Sequence, residues 1–280
     1  MIKDFYQSEL SCDVNDSDDI VIINRNLRLY ARNKNYISRN YTGVTLISKL
    51  KFQNVEIDIR VKRPLGKSIT AAISLVLTDN EKEYGNILGQ VDIARFHTNN
   101  LTEFGIKYAP GHSHNHLFMD NFRDQDKFIT YSLKIFKNSI EWPVSNKSIY
   151  QVNRNMDSQG NHLHYDEKIS ALPFDKPFYL MLHVGVESLN MYSEYQDELE
   201  TGSNWERPYM EISSIELKSV GENSKVIHKK EKVVDQHETK ITESSVGRVV
   251  YEDYFRSSLR DYWSYVGEIG NCFGLLTRLY

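Results

Sequence analysis

The chain has 280 residues, 40% hydrophobic and 26% charged, with a formal net charge of −4 and both signs interspersed. That composition suits a folded globular protein with ample apolar material for a core, and it leaves no basic footprint for nucleic acid or an anionic membrane. No apolar run approaches the ~18 residues of a spanning helix, the opening MIKDFYQSEL lacks the apolar stretch of a secretory signal, and two cysteines, Cys12 and Cys272, make neither a disulfide framework nor a zinc site.

In chain order, the first strong element is VEIDIRVKR, where Val55, Ile57, Ile59 and Val61 alternate with Glu56, Asp58, Arg60 and Lys62. Two-residue alternation predicts a strand with one buried and one wet face. AAISLVLTD, from Ala71, is almost continuously apolar and predicts a central strand. GQVDIARF, Gly89–Phe96, is strand-like, with one acid at Asp92. GHSHNH offers His112, His114 and His116, which on a strand would share a face as metal ligands do. Gly111 and Asn115 predict a loop there instead, and no cysteine or carboxylate nearby completes a set, so no metal is expected. SIEWPVSNKSIYQV predicts two strands joined by a turn at Ser145–Asn146. In YLMLHVGVE, Leu180, Leu182, Val184 and Val186 share one face, and Tyr179, Met181 and His183 the other. MEISSIELKSV adds a further strand. No long stretch keeps a helical period, so the chain reads as all-β, a two-sheet antiparallel sandwich.

Composition changes once. Residues 219–247 are polar and charged and read as a linker. Residues 248–280 are apolar and aromatic again, but too few for a domain. Sequons at Asn15, Asn40, Asn100 and Asn146 gain meaning only in a secretory setting.

Four segments, in order, resemble the family-16 glycoside hydrolases. EIDIRVKRPLGKSITAAISLVL is similar to the family's strand, Pro-x-Gly turn and strand. GQVDIARFHTN aligns without a gap on its Gly-Glu-Ile-Asp-Ile-Met-Glu catalytic strand. FITYSLKIFKNSIEWPVSN resembles the Phe-His-x-Tyr … Ile-x-Trp-Tyr-Val-Asp-Gly hairpin. PFDKPFYLMLHVGVES resembles Pro-Phe-Asp-x-Pro-Phe-x-Leu-Ile-Leu-Asn-x-Ala-Val-Gly-Gly, the most specific of the four. The likeness runs from about Phe5 to Val220 and is strongest to laminarinases and animal β-1,3-glucan-binding proteins. It implies a β-jelly-roll, a concanavalin-like sandwich with a sugar cleft on its concave sheet. It also implies an extracellular setting and a β-glucan ligand, with no cofactor, nucleic acid or membrane.

The resemblance divides the chain into a jelly-roll domain, 1–218, lacking its N-terminal strand, the linker 219–247, and the segment 248–280. In that segment VVYEDYFRSSLRDYW looks like the family's opening, Leu-Val-Phe-Glu-Asp-x-Phe … Trp. It either docks on the main domain or starts a truncated second copy. The expectation is that Val249–Phe255 pairs as a strand and covers an otherwise open edge.

Family-16 enzymes retain configuration, which needs two carboxyl groups about 5–5.5 Å apart. On the catalytic strand the first and third motif positions share a face, and a bulge returns the last position to it. Those places hold Gln90, Asp92 and Arg95. A neutral amide forms no glycosyl ester, and a guanidinium donates no proton at working pH. The resemblance therefore implies a degenerate site in which Asp92 pairs with Arg95. Glu187 is the one nearby carboxylate for an inverting route.

Residues that could touch sugar are Trp205, His183, Trp142, Tyr84 and His97. The tryptophans expected after the Pro-x-Gly turn are replaced by Thr70 and Ser74, and the Glu-Trp pair before the hairpin by Lys134–Ile135. The reading is a catalytically inactive carbohydrate-binding or recognition protein. A residual endo-β-glucanase and a structural protein with a vestigial cleft are the alternatives.

Overall fold

The computed structural model describes residues 11–13, 18–36, 39–78, 87–97, 101–108, 113–119, 126–136, 139–153, 177–186, 205–220, 225–228, 249–253 and 263–265. Every regular element among them is a strand. The first nine are β1 (Ser11–Asp13), β2 (Ile20–Ile23), β3 (Asn26–Tyr30), β4 (Arg32–Tyr36), β5 (Arg39–Gln53), β6 (Val55–Lys62), β7 (Ile69–Thr78), β8 (Ile87–Phe96) and β9 (Leu101–Tyr108). The rest are β10 (Ser113–Met119), β11 (Ile129–Ile135), β12 (Ser139–Val144), β13 (Lys147–Asn153), β14 (Phe178–Val186), β15 (Tyr209–Ser219), β16 (Lys225–His228), β17 (Val249–Asp253) and β18 (Trp263–Tyr265).

They form two sheets. An eight-stranded sheet runs β13-β12-β11-β6-β15-β3-β2, with β17 also on β15. A ten-stranded sheet runs β1-β5-β14-β7-β8-β9-β10, with β4, β16 and β18 also on β5. All these pairings are antiparallel except β1 with β5. Alternation decides which side chains lie between the sheets. From β6 these are Val55, Ile57, Ile59 and Val61, as their spacing predicts. From β14 they are Leu180, Leu182, Val184 and Val186, and from β7 Ala71, Ile73 and Leu75. β7 is flanked on both edges, by β14 and β8, as its continuous apolar run requires.

The hairpin β12–β13 turns at Ser145 (φ 48°) and Asn146 (φ 68°). Two consecutive positive φ values match the right-handed twist of the flanking strands, as a type I′ turn does.

One local expectation fails. Gly111 and Asn115 predict a loop, yet Ser113–Met119 is a strand paired along its length with β9, from Ser113↔Lys107 to Met119↔Leu101. Ladder pairing with a neighbour outweighs turn propensity here. His114 and His116 lie opposite Ile106 and Phe104. No His, Cys, Asp or Glu group among the described residues is arranged to hold a metal ion. His112, Tyr84, Glu187, Cys272, Asn15 and Asn100 lie outside the described residues.

The C-terminal strands join both sheets. β6 lies along one edge of β15, so β3 and β17 share the other: β3 pairs Tyr209–Ile212, and β17 pairs Ile215↔Asp253 to Lys218↔Val249. On β5, β14 takes one edge, while β16 and β18 pair Leu50–Gln53 and Leu46–Ser48 on the opposite one. Each ladder bond is worth about 1 kcal/mol net, so these strands stabilise the body as well as themselves. We expect a specific protease cut engineered at Glu238–Lys240 to leave the two fragments co-eluting in native gel filtration. Release of the C-terminal fragment with no change in melting temperature of the remainder would show that the pairing contributes nothing.

Candidate functional site

The site forms where β8 departs from regular pairing. Ser74 lies opposite Asp92, but Ile73 lies opposite Ala94, so Ile93 is an extra residue on β8. On the other edge Asp92 faces Gly105 and Arg95 faces Glu103. Ile93 and Ala94 are both fully buried in the core, and Arg95 returns to the outer face with Asp92. This is the bulge that the resemblance to the family-16 catalytic strand implies.

Register then assembles the outer face. Gln90 pairs with Val76, Asp92 with Ser74 and Arg95 with Ala72. Across β14, Val76, Ser74 and Ala72 pair with Tyr179, Met181 and His183. His183 pairs in turn with Thr45 of β5. β9 contributes Glu103, Gly105 and Lys107. Directly opposed residues share a face, so residues far apart in sequence form one surface.

Asp92 is its centre. The residue is 1% exposed. Its Oδ1 accepts hydrogen bonds from Ser74 Oγ at 2.6 Å and Gln90 Nε2 at 2.5 Å. Its Oδ2 has no hydrogen-bond partner and lies 3.7 Å from both Arg95 Nε and Lys107 Nζ. Burial, the strongest single influence, pushes the carboxyl upward. The cations of Arg95 and Lys107, with the bonds from Ser74 and Gln90, outweigh it and hold Asp92 below the ordinary aspartate value.

Glu103 behaves alike. Burial raises it, but the bond with His97 (Nε2 to Oε2 2.9 Å) and the charges of Arg95 and Lys107 hold it below the ordinary glutamate value. Both carboxylates are therefore ionised at neutral pH and neither is a proton donor.

Of the other predicted contacts, His183 is on this face with Nδ1 2.8 Å from Thr45 Oγ1, and His97 reaches it through Glu103. Trp142 is not a sugar contact, which corrects its place among the candidates. It is 0% exposed, tilted against Tyr150 at 5.1 Å between centroids, and its Nε1 donates to the Asp92 carbonyl at 2.8 Å. It reaches from the opposite sheet to hold the bulge from beneath. Trp205 packs on the core at the Pro64–Gly66 turn, 5.7 Å from the Tyr41 ring, with Nε1 donating to the Lys67 carbonyl at 2.9 Å. A Cβ on Gly66 would come within 2.5 Å of Ile69 Cδ1 and 2.7 Å of Trp205 Cδ1, so the glycine permits this close approach.

Sequence reasoning missed Lys107 and Glu103, and it treated Ser74 only as a lost aromatic. Alternation in LTEFGIKY puts Glu103, Gly105 and Lys107 on one face, but nothing in that stretch names β8 as its neighbour. The outer face also holds a second apolar cluster, Ile47, Val76, Tyr179 and Met181, all buried. Alternation predicts their face correctly and their burial not at all.

No family model matches the chain, and no curated protein matches it. Solved structures do. SCLam, a non-specific endo-β-1,3(4)-glucanase from family GH16, is 18% identical, with 75% of this chain and 77% of that chain covered and a TM-score of 0.58. The fold is that of the family-16 glucanases. The endo-β-1,3-glucanase from Pyrococcus furiosus shares 16% identity over 80% of this chain and 82% of its own, TM-score 0.55. The laminarinase from Rhodothermus marinus shares 17% over 74% and 82%, TM-score 0.58. On this glucanase fold, β8 and its bulge lie in the ten-stranded sheet, with Gln90, Asp92 and Arg95 on its outer face.

Proposed function

We propose that this chain is a non-hydrolytic carbohydrate-binding protein on the glucanase fold, with β-1,3-glucan as its ligand. The observation that supports the reading is β8, whose bulge puts Gln90, Asp92 and Arg95 on one face; the motif resemblance sets Gln90 and Arg95 at the places where double displacement needs a nucleophile and an acid. Asp92 and Glu103, the carboxylates described on that face, are both depressed in pKa and buried or hydrogen-bonded. Loss of both members of a catalytic unit removes the mechanism rather than slowing it. Proteins of similar fold suggest the ligand class: LamA from Zobellia galactanivorans, at 20% identity, was solved in complex with laminaritriose and laminaritetraose. An extracellular setting accompanies that ligand.

The buried cluster of Ile47, Val76, Tyr179 and Met181 favours a second reading, a structural or interaction protein whose cleft is vestigial. It takes surface on the same face that a polysaccharide would need.

Two measurements separate the readings. Incubated with laminarin, the protein is expected to release no more reducing sugar than a heat-killed control. In affinity electrophoresis through laminarin it is expected to be retarded. Turnover above control restores the endo-β-glucanase, and absence of both turnover and retardation leaves the vestigial cleft. Replacing Gln90 and Arg95 together by Glu is expected to restore little activity, because Thr70 and Ser74 present no stacking surface.

A further inference from the structure

Among the described residues, three aromatic side chains that could hold a sugar ring are engaged elsewhere. Trp142 is in the core, Trp205 is tied to the Lys67 carbonyl, and Tyr179 is 5% exposed with Lys51 Nζ 5.0 Å from its ring centre. Around β8 the outer face carries Ser74, Gln90, Asp92, Arg95, Glu103 and Lys107. Its central charged group is Asp92, bonded through Oδ1 to Ser74 and Gln90 and through its carbonyl to Trp142.

The second carboxylate oxygen is the unusual feature. Oδ2 is buried, has no hydrogen-bond partner, and sits between two cationic groups, each 3.7 Å away. That separation is too long for a direct hydrogen bond, and an acceptor left unmade in a buried site is costly. A hydroxyl group satisfies such an arrangement because it donates to the carboxylate and accepts from a cation at once. The charges also balance: Arg95 and Lys107 against Asp92 and Glu103. A sulfate or uronate would compete with Asp92 for the same two cations and leave it buried without compensation.

We propose that Asp92 Oδ2, Arg95 and Lys107 form a hydroxyl-binding notch that selects neutral glycans by hydrogen bonding rather than by ring stacking. The proposal rests on the carbohydrate-binding reading and deepens it by naming the contacting atoms and the ligand's charge class. Lys107, with its side chain 28% exposed, is the more accessible wall, on the side from which a hydroxyl enters, whereas Arg95 at 13% is the more buried one.

The test is calorimetric titration of the full chain with laminarin and with sulfated laminarin. Asp92→Asn and Lys107→Met are titrated beside it, each first verified as folded by circular dichroism at the titration temperature. Laminarin is expected to bind, each variant to bind about tenfold more weakly, and sulfated laminarin to bind less well than laminarin. If both folded variants keep the wild-type Kd, the notch is wrong and glucan binding stands. Preference for sulfated laminarin likewise overturns the notch. If the wild-type protein ignores laminarin, the glucan reading falls, and the same variants are titrated with neutral mannan and xylan. Binding there that depends on Asp92 keeps the notch; binding of none overturns both.

Discussion

Asp92→Leu is expected to lower the unfolding free energy by about 3–5 kcal/mol, the range for removing one partner of a buried charge group. The carboxylate is 1% exposed, and its loss leaves Arg95 and Lys107 facing a low-dielectric site with only Glu103 to balance them. It also strands the donors of Ser74 and Gln90. Asp92→Asn keeps the shape and some of those bonds, so its cost is smaller, about 2 kcal/mol. Replacing three of the charges, Asp92→Leu with Arg95→Met and Lys107→Met, is expected to recover part of the loss, because the two stranded cations are gone while Glu103 keeps its bond with His97. Urea unfolding of the four proteins checks this. A triple variant less stable than Asp92→Leu alone would show that Arg95 and Lys107 stabilise the fold even without Asp92, and that stranded charge is not what Asp92→Leu costs.

The same group sets an acid limb. Asp92 is depressed below its ordinary value in the folded state, so its contribution to stability is fully present above the unfolded-state pKa of about 3.9. It is lost as pH falls through the lower folded-state value. Glu103 is shifted in the same direction. The wild-type melting temperature should therefore fall below about pH 4, and Asp92→Asn should show a shallower fall over that window.

Trp142→Ala is expected to cost about 3–5 kcal/mol, from cavity formation beneath the bulge. The ring is wholly buried between the sheets against Tyr150, and its indole N–H is the donor to the Asp92 carbonyl. Trp142→Phe keeps much of the ring volume and removes that donor, at an expected cost of about 1–2 kcal/mol. Hydrogen exchange distinguishes packing from positioning. With the bulge unsupported, amides at Ile93–Arg95 should exchange faster in Trp142→Phe, while those of β6 stay protected. Uniform loss of protection over both sheets would mean that Trp142 only fills space.

Much of the architecture was legible from local pattern. The alternation at Val55–Val61 and Leu180–Val186 selects core-facing residues because successive side chains of a strand point to opposite sides. The Ser145–Asn146 turn follows from residues that tolerate positive φ. The bulge that returns Arg95 to the face of Asp92 was implied by the family resemblance, and their pairing, at 3.7 Å, by their opposite charges. Where local signals conflicted with pairing, as at Ser113–Met119, pairing won.

The rest belonged to the tertiary structure, and the reason is physical. Periodicity states which face a residue occupies; it does not state which strand lies alongside or what lies over that face. Lys107 and Glu103 reach Asp92 only because β9 is the neighbour of β8. Ser74 becomes a hydrogen-bond donor to Asp92 only because β7 pairs in that register. Trp142 left the list of sugar contacts because its strand packs across the sandwich, turning the indole inward beneath β8. Tyr179 and Met181 have the parity of a solvent-facing row and are nonetheless buried. Strand pairing and face-to-face packing bring together residues that the sequence separates, by 18 positions for Ser74 and Asp92 and by 50 for Asp92 and Trp142, and the candidate site is made of those encounters.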